Sequence, residues 1–139
     1  MLKLFISSHG SFASGILGAA EVLLGKQSTI TVYDAYVDDT TLSGAVDAFY
    51  ETVQPGDQVV LVSDLYGGSV NTALCAYLDR EGTVLISGAN LALILALALE
   101  PAPISDTRLE ELVEQSRDQL RIVHLDRSTP PAQSDDFFG

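Results

Sequence analysis

The chain alternates between two hydrophobic periods. Residues 3–8 (KLFISS) form a short apolar run that stops at His9-Gly10, after which Ala13, Ile16, Leu17, Ala20, Leu23 and Leu24 recur at steps of three and four until Gly25. The first pattern predicts a strand and the second a helix with one buried face. The pairing then repeats. TITVY (29–33) is β-branched and predicts a strand; Asp39 or Thr40 is placed to cap a helix carrying Leu42, Val46, Phe49 and Val53, closed by the Pro55-Gly56-Asp57 turn. QVVLVS (58–63) is a continuous apolar run, as expected of a strand covered on both faces, and it ends at Asp64. Helical spacing returns with Val70, Ala73, Leu74 and Tyr77 and closes at Glu81-Gly82; Cys75 on that helix is expected to be a small buried residue.

A fourth unit joins strand 83–87 (TVLIS) to an Ala/Leu-rich helix from about Asn90 to Leu99, stopped by Pro101 and Pro103. Residues 106–119 predict another helix with Leu109, Leu112, Val113 and Ser116 inward, and LRIVHL (120–125) predicts a last strand. Repeated βα units of this length imply an α/β, doubly wound fold: a mostly parallel sheet of about five strands, helices on both faces, right-handed crossovers. Residues 1–127 form the expected domain, and 128–139, rich in proline and polar residues, a loose tail.

Composition narrows the setting. A length of 139 residues fits one domain, and the single cysteine rules out an intramolecular disulfide and any CxxC site. With 19 acidic against 7 basic residues the net charge is −12, which speaks against a nucleic-acid or anionic-membrane surface and favours basic partners. The most apolar stretch, Leu91 to Leu99, is less than half of the roughly 20 residues that cross a bilayer, and the N-terminus lacks the long apolar region of a signal peptide. A cytoplasmic protein is expected.

Ligands of open parallel sheets gather beyond the carboxyl ends of the strands. There the sequence delivers Ser8, His9, Gly10 and Ser11, then Asp34, then Asp64, Gly67, Gly68 and Ser69, then Ser87 and Gly88. His124, inside the expected last strand, reads as structural. His9 stands before a helix and within reach of Asp64. A carboxylate that accepts from one ring nitrogen fixes the tautomer and leaves the other nitrogen as nucleophile. The helix starts after His9 and after Gly68 would present backbone N–H groups to an attached anion. From Met1 to Thr107 the basic residues are Lys3, Lys26 and Arg80, none of them in these loops, and the Gly10–Gly15 spacing is followed by Ile16 instead of the P-loop lysine. Such a site suits brief carriage of a phosphoryl group; tight retention calls for Arg or Mg²⁺. No cofactor or metal is expected. Ser11 and Ser69 could equally cap helices, and Asp34 could be a turn residue.

Three segments, Ser8-His9-Gly10-Ser11-Phe12-Ala13-Ser14-Gly15, Asp64-Leu65-Tyr66-Gly67-Gly68-Ser69 with Asn71, and Ser87-Gly88-Ala89-Asn90-Leu91, resemble in order and spacing the EIIA component of the mannose family of the phosphoenolpyruvate-dependent sugar phosphotransferase system. The likeness runs to about residue 125. It implies that His9 accepts a phosphoryl group on Nε2 from the histidine-containing phosphocarrier protein HPr and hands it to an EIIB component, with Asp64 orienting His9. Gly10, Ser11, Gly67, Gly68 and Ser69 would surround the phosphate, with Asn71, Asp34, Ser87 and Asn90 as further candidates. The resemblance also implies a homodimer whose last strand, here 120–125, pairs antiparallel on the partner's sheet, and only indirect contact with the membrane components EIIC and EIID. Two departures concern the pocket lining: many members have one more residue and a proline between the GGS serine and the asparagine, and N-L-P where this chain has Asn90-Leu91-Ala92.

Three alternatives use the same residues differently. The phosphoryl-donor subunit of dihydroxyacetone kinase resembles this chain but lacks the full D-L-x-G-G-S form. A Ser–His–Asp hydrolase fails for want of a GxSxG elbow after a strand. A regulatory module in which His9 senses phosphate without turnover is the last.

Overall fold

A computed structural model describes residues 1–125. The elements are β1 (Leu2–His9), α1 (Phe12–Leu24), β2 (Ile30–Ala35), α2 (Leu42–Glu51), β3 (Gln58–Ser63), α3 (Ser69–Leu74) with a 3₁₀ turn at Cys75–Tyr77, β4 (Thr83–Ser87), α4 (Leu91–Leu99) and α5 (Asp106–Arg117). The described residues form one four-stranded sheet in the order β2-β1-β3-β4, with every pairing parallel.

Strand periodicity divides the core in two. Leu4, Ile6, Val60 and Val62 face one layer, where Ala13, Ile16 and Ala20 of α1, Leu93 and Leu97 of α4, and Leu109 and Leu112 of α5 cover them. Phe5, Val59 and Leu61 face the other, under Val46 and Phe49 of α2 and Val70 and Leu74 of α3. β1 and β3 are central and covered on both faces, which is why their sequences carry almost no polar alternation. Helix α4 packs against both α1 and α5 and so has no polar face.

The strand order reverses between β1 and β3. β1 connects through α1 to β2 on one side, while β3 connects through α3 to β4 on the other. Their carboxyl ends therefore open a crevice at the topological switch point. His9 ends β1, and Asp64 follows β3.

Several expectations need adjusting. The cap of α2 is Thr41, whose Oγ1 accepts from the Gly44 amide at 3.1 Å, because Thr40 is occupied by Asp38 and the Tyr33 hydroxyl. β2 runs on to Ala35 and takes Asp34 into the sheet opposite Ser8. The third helix tightens to 3₁₀ after Leu74, turning Cys75 outward, so it is exposed and not buried. α5 ends at Arg117, two residues early. The expected fifth strand does not form within the single chain: 120–125 has no regular structure, and Leu120, Ile122, Val123 and Leu125 are 80–90% exposed. His124 lies in this exposed segment. The domain boundary at 127 and the tail 128–139 lie outside the described residues.

Leu61 is fully buried in the central strand, while Val22 on α1 is 85% exposed. Leu61→Ala is expected to cost about 2–5 kcal/mol in urea unfolding, through lost transfer energy and a residual cavity. Val22→Ala should stay within about 0.5 kcal/mol.

Candidate active site

The site is built on the turn that leaves β1. Gly10 has φ +57°, a left-handed conformation that a side chain disfavours, and its N–H donates to the Ala35 carbonyl at 2.9 Å. This turns the chain sharply into α1 and leaves the His9 ring at the sheet edge, 44% exposed.

Asp64 holds that ring. Its Oδ2 accepts both the His9 backbone N–H and the imidazole Nδ1, each at 2.9 Å. Burial pushes the Asp64 carboxyl up, but the hydrogen bonds from the His9 amide and ring, with the attraction of the imidazole, outweigh it and hold the group below the usual carboxylate range. An ionised carboxylate only accepts, so in the neutral ring the proton sits on Nδ1 and the lone pair on Nε2. Oδ1 of Asp64 is buried with no hydrogen-bond partner, leaving His9 as the principal contact of this carboxylate.

Nε2 points toward the start of α3, where the Ser69 hydroxyl lies 3.2 Å away. Gly68 packs close to the ring: a Cβ there would stand 3.5 Å from His9 Cε1, an ordinary contact, and a tighter 3.3 Å from the Leu65 carbonyl oxygen. No side chain caps the first turn of α3. The first turn of α1 is different. Ser8 Oγ accepts from the Ala13 amide at 2.7 Å, and Asp34 accepts from the Ser14 amide at 3.0 Å and the Ser14 hydroxyl at 2.7 Å. A carboxylate thus already occupies the positive end of α1.

The sequence candidates therefore separate. His9, Asp64, Gly68 and Ser69 come together, with Gly67 (φ +76°) shaping the loop between them. Ser11 stands at the start of α1 without a side-chain capping bond. Asp34 anchors α1 and does not contact the imidazole through a hydrogen bond. Asn71 and Ser87 form a buried cluster with Ser63 that ties α3 to the ends of β3 and β4, and Asn90 caps α4 through Leu93 N while donating to the Ser116 carbonyl on α5. One participant, Ser8, was placed at this edge by the sequence without its role, and another, Tyr36, was missed. Ser8 supplies the cap expected of Ser11, from within the strand. Tyr36 lies with its ring centroid 5.4 Å from that of His9 and its hydroxyl 2.7 Å from Ser69 Oγ. Ending β2 at residue 33 left Tyr36 far from the sheet edge; its position just beyond the strand was the available signal.

Two of the three basic side chains of the first hundred residues serve elsewhere: Lys3 bonds Thr52, and Arg80 lies over the Tyr50 ring. Among the described residues no lysine or arginine hydrogen-bonds to His9, Asp64 or Ser69. The arrangement offers a nucleophilic nitrogen with a fixed tautomer, a neutral donor beside it and a start of helix with free amides.

Residues 3–117 match the family described as the PTS system fructose IIA component, EIIA-man. The chain belongs to this family. It is therefore an EIIA component of the mannose family, in a sugar phosphotransferase system that works by phosphoryl transfer. The chain is also similar to a protein assigned as a phosphoenolpyruvate-dependent sugar phosphotransferase permease from Klebsiella pneumoniae, at 31% identity and a TM-score of 0.76 over 87% of this chain and 90% of that one. It is similar to the PTS IIA protein associated with the fucose utilization operon of Streptococcus pneumoniae at 25% identity and TM-score 0.72, over 87% and 92% of the two chains. The mannose/sorbose-specific IIA subunit of Enterococcus faecalis, at 22% identity and TM-score 0.70 over 91% and 98%, shares the fold. Among curated proteins no match is found.

The lowered Asp64 pKa has a definite sign. A carboxyl depressed in the folded state contributes stability above its unfolded value, about 3.9, and loses it as pH falls through the folded value. The stability gap between wild type and Asp64→Asn should be present at neutral pH and narrow as pH drops below about 4, which urea titrations across pH would read.

Proposed function

We propose that this EIIA component carries a phosphoryl group on Nε2 of His9, received from HPr and passed to an EIIB component for sugar uptake in the cytoplasm. The observation that carries this reading is the Nδ1–Asp64 hydrogen bond at 2.9 Å, which leaves Nε2 as the basic nitrogen of a ring that is 44% exposed. In the forward step the Nε2 lone pair attacks phosphorus while the bond to the donor nitrogen breaks, its electron pair returning to the donor. The ring gains positive charge, and the Asp64 carboxylate, already on Nδ1, stabilises it without moving. The phosphoryl oxygens would meet the Ser69 hydroxyl and the first amides of α3. Neutral hydrogen bonds hold an anion less firmly than charged ones, which suits a group that must leave again.

The surroundings favour a protein as donor and acceptor. Phe12 at the start of α1 and Val37, Leu65 and Tyr66 on the loops that follow β2 and β3 stand 47–84% exposed, with the acidic Asp38 and Asp39 next to Val37 in the chain. Exposed apolar side chains accompanied by acidic ones are the composition of a protein-docking surface, and the acidic ones call for basic partners. HPr and EIIB fill those roles in this reading.

The family resemblance extends to a homodimer, and the bare edge of β4 supports it. Beside that edge a groove of about 510 Å³ is lined by Val84, Ile86, Leu109 and Val113 together with the charged Asp106, Glu110, Glu114 and Arg117, while 120–125 of the same chain exposes four large apolar side chains. An unpaired edge and an exposed apolar segment complement each other when exchanged between two copies. Ile122→Glu with Val123→Glu should give a folded monomer by light scattering; an unchanged dimer, or a monomeric wild type, would contradict the exchange.

Incubation with phosphoenolpyruvate, Enzyme I and HPr should add one acid-labile phosphoryl group to wild type and none to His9→Ala, read by mass. Asp64→Asn should slow transfer about 10- to 100-fold, the range for loss of a hydrogen bond to a charged group. An unlabelled wild type would sink the carrier reading.

A further inference from the structure

We propose that Tyr36 is a positioning residue of the phosphoryl site: through its hydroxyl it fixes the direction of the Ser69 O–H toward Nε2 of His9. The inference rests on the carrier reading above, and it concerns a residue that neither the three motif segments nor their spacing marks.

The direction of the hydrogen-bond chain follows from proton counting. Nδ1 donates to Asp64, so neutral Nε2 has only a lone pair to offer. The 3.2 Å contact with Ser69 therefore uses the one hydroxyl proton of Ser69. That leaves Ser69 Oγ as an acceptor in its 2.7 Å contact with Tyr36, whose O–H must donate. The chain runs from Tyr36 O–H to Ser69 O–H to Nε2. Without Tyr36, the serine hydroxyl rotates among its staggered positions, and only one of them serves Nε2.

The backbone is held in an uncommon state to keep this contact. Tyr36 has φ +67°, the single non-glycine residue with positive φ among the described residues. A bulky side chain rarely adopts that region, and such outliers persist where the surroundings over-determine them, often at functional sites. Here the conformation brings the tyrosine ring to within 5.4 Å of the imidazole, tilted by 45°, although Tyr36 is otherwise 68% exposed. Burial does not account for its position.

The role in transfer is then explicit. As Nε2 forms its bond to phosphorus, the donor's bond to phosphorus breaks and the electron pair departs with the donor; Nε2 no longer accepts. The Ser69 proton shifts its donation from Nε2 to a phosphoryl oxygen, with Tyr36 still donating to Ser69. The hydroxyl that masks the nucleophile in the free protein becomes the donor that holds the product.

Tyr36→Phe keeps the ring and removes only the donor. In the unphosphorylated protein, the ¹⁵N resonance of His9 Nε2 should move toward that of an imine nitrogen accepting no hydrogen bond, and Ser69→Ala should move it the same way. In the phosphorylated protein, Tyr36→Phe should shorten the lifetime of the phosphohistidine about 2- to 10-fold, the range for one neutral hydrogen bond. Tyr36→Phe combined with Ser69→Ala should cost no more than Ser69→Ala alone. An unmoved Nε2 resonance in Tyr36→Phe, or effects of the two substitutions that simply add, would overturn the proposal. The resonance needs no phosphoryl donor, so failure of wild type to accept phosphate would strike the carrier reading and leave this result to stand by itself.

Discussion

Asp64 Oδ2 accepts two hydrogen bonds from one residue, the amide and the ring of His9, across the ends of two neighbouring parallel strands. The amide bond fixes the backbone where β1 ends, and the ring bond fixes the imidazole against that backbone. A single oxygen thus sets position, orientation and tautomer. β1 and β3 are the central strands, clamped by apolar layers on both faces, so the two ends cannot drift apart without disturbing the core. The crevice at the reversal of strand order supplies the space, and the carboxylate decides which nitrogen faces it.

The two helix starts beside the crevice are treated unequally. At α1 the Ser8 hydroxyl and the Asp34 carboxylate already satisfy first-turn amides, and the Gly10 amide is used by Ala35. At α3 no side chain caps the first turn, and Ser69 itself faces Nε2. An anion on His9 would therefore be received on the α3 side. Its contacts would be neutral donors, each a hydrogen bond to a charged group worth about 1.5–3 kcal/mol, without the added ion-pair attraction and bidentate grip of an arginine. A site of this kind would hold a phosphoryl group and still let it go.

The fold was largely legible because strand and helix periods alternate cleanly and the central strands are continuous apolar runs. His9 and Asp64 were legible for the same reason: each is the first polar residue of consequence after such a run. What escaped depended on distances that no period encodes. Ser8 caps α1 from inside β1, which a search for caps immediately before the helix passes over. Tyr36 reaches Ser69 across 33 positions by a backbone conformation that its residue type disfavours. Cys75 belongs to a helix that tightens at Leu74, a change invisible in apolar spacing. The segment 120–125 has the composition of a strand, but within one chain it pairs with neither free edge of the sheet.

The most direct test of the central arrangement is the ¹⁵N and ³¹P spectrum of the phosphorylated protein carrying ¹⁵N-labelled histidine. Phosphorus should couple to Nε2 of His9, with Nδ1 still protonated against Asp64. Coupling to Nδ1, the nitrogen that Asp64 occupies, would contradict it.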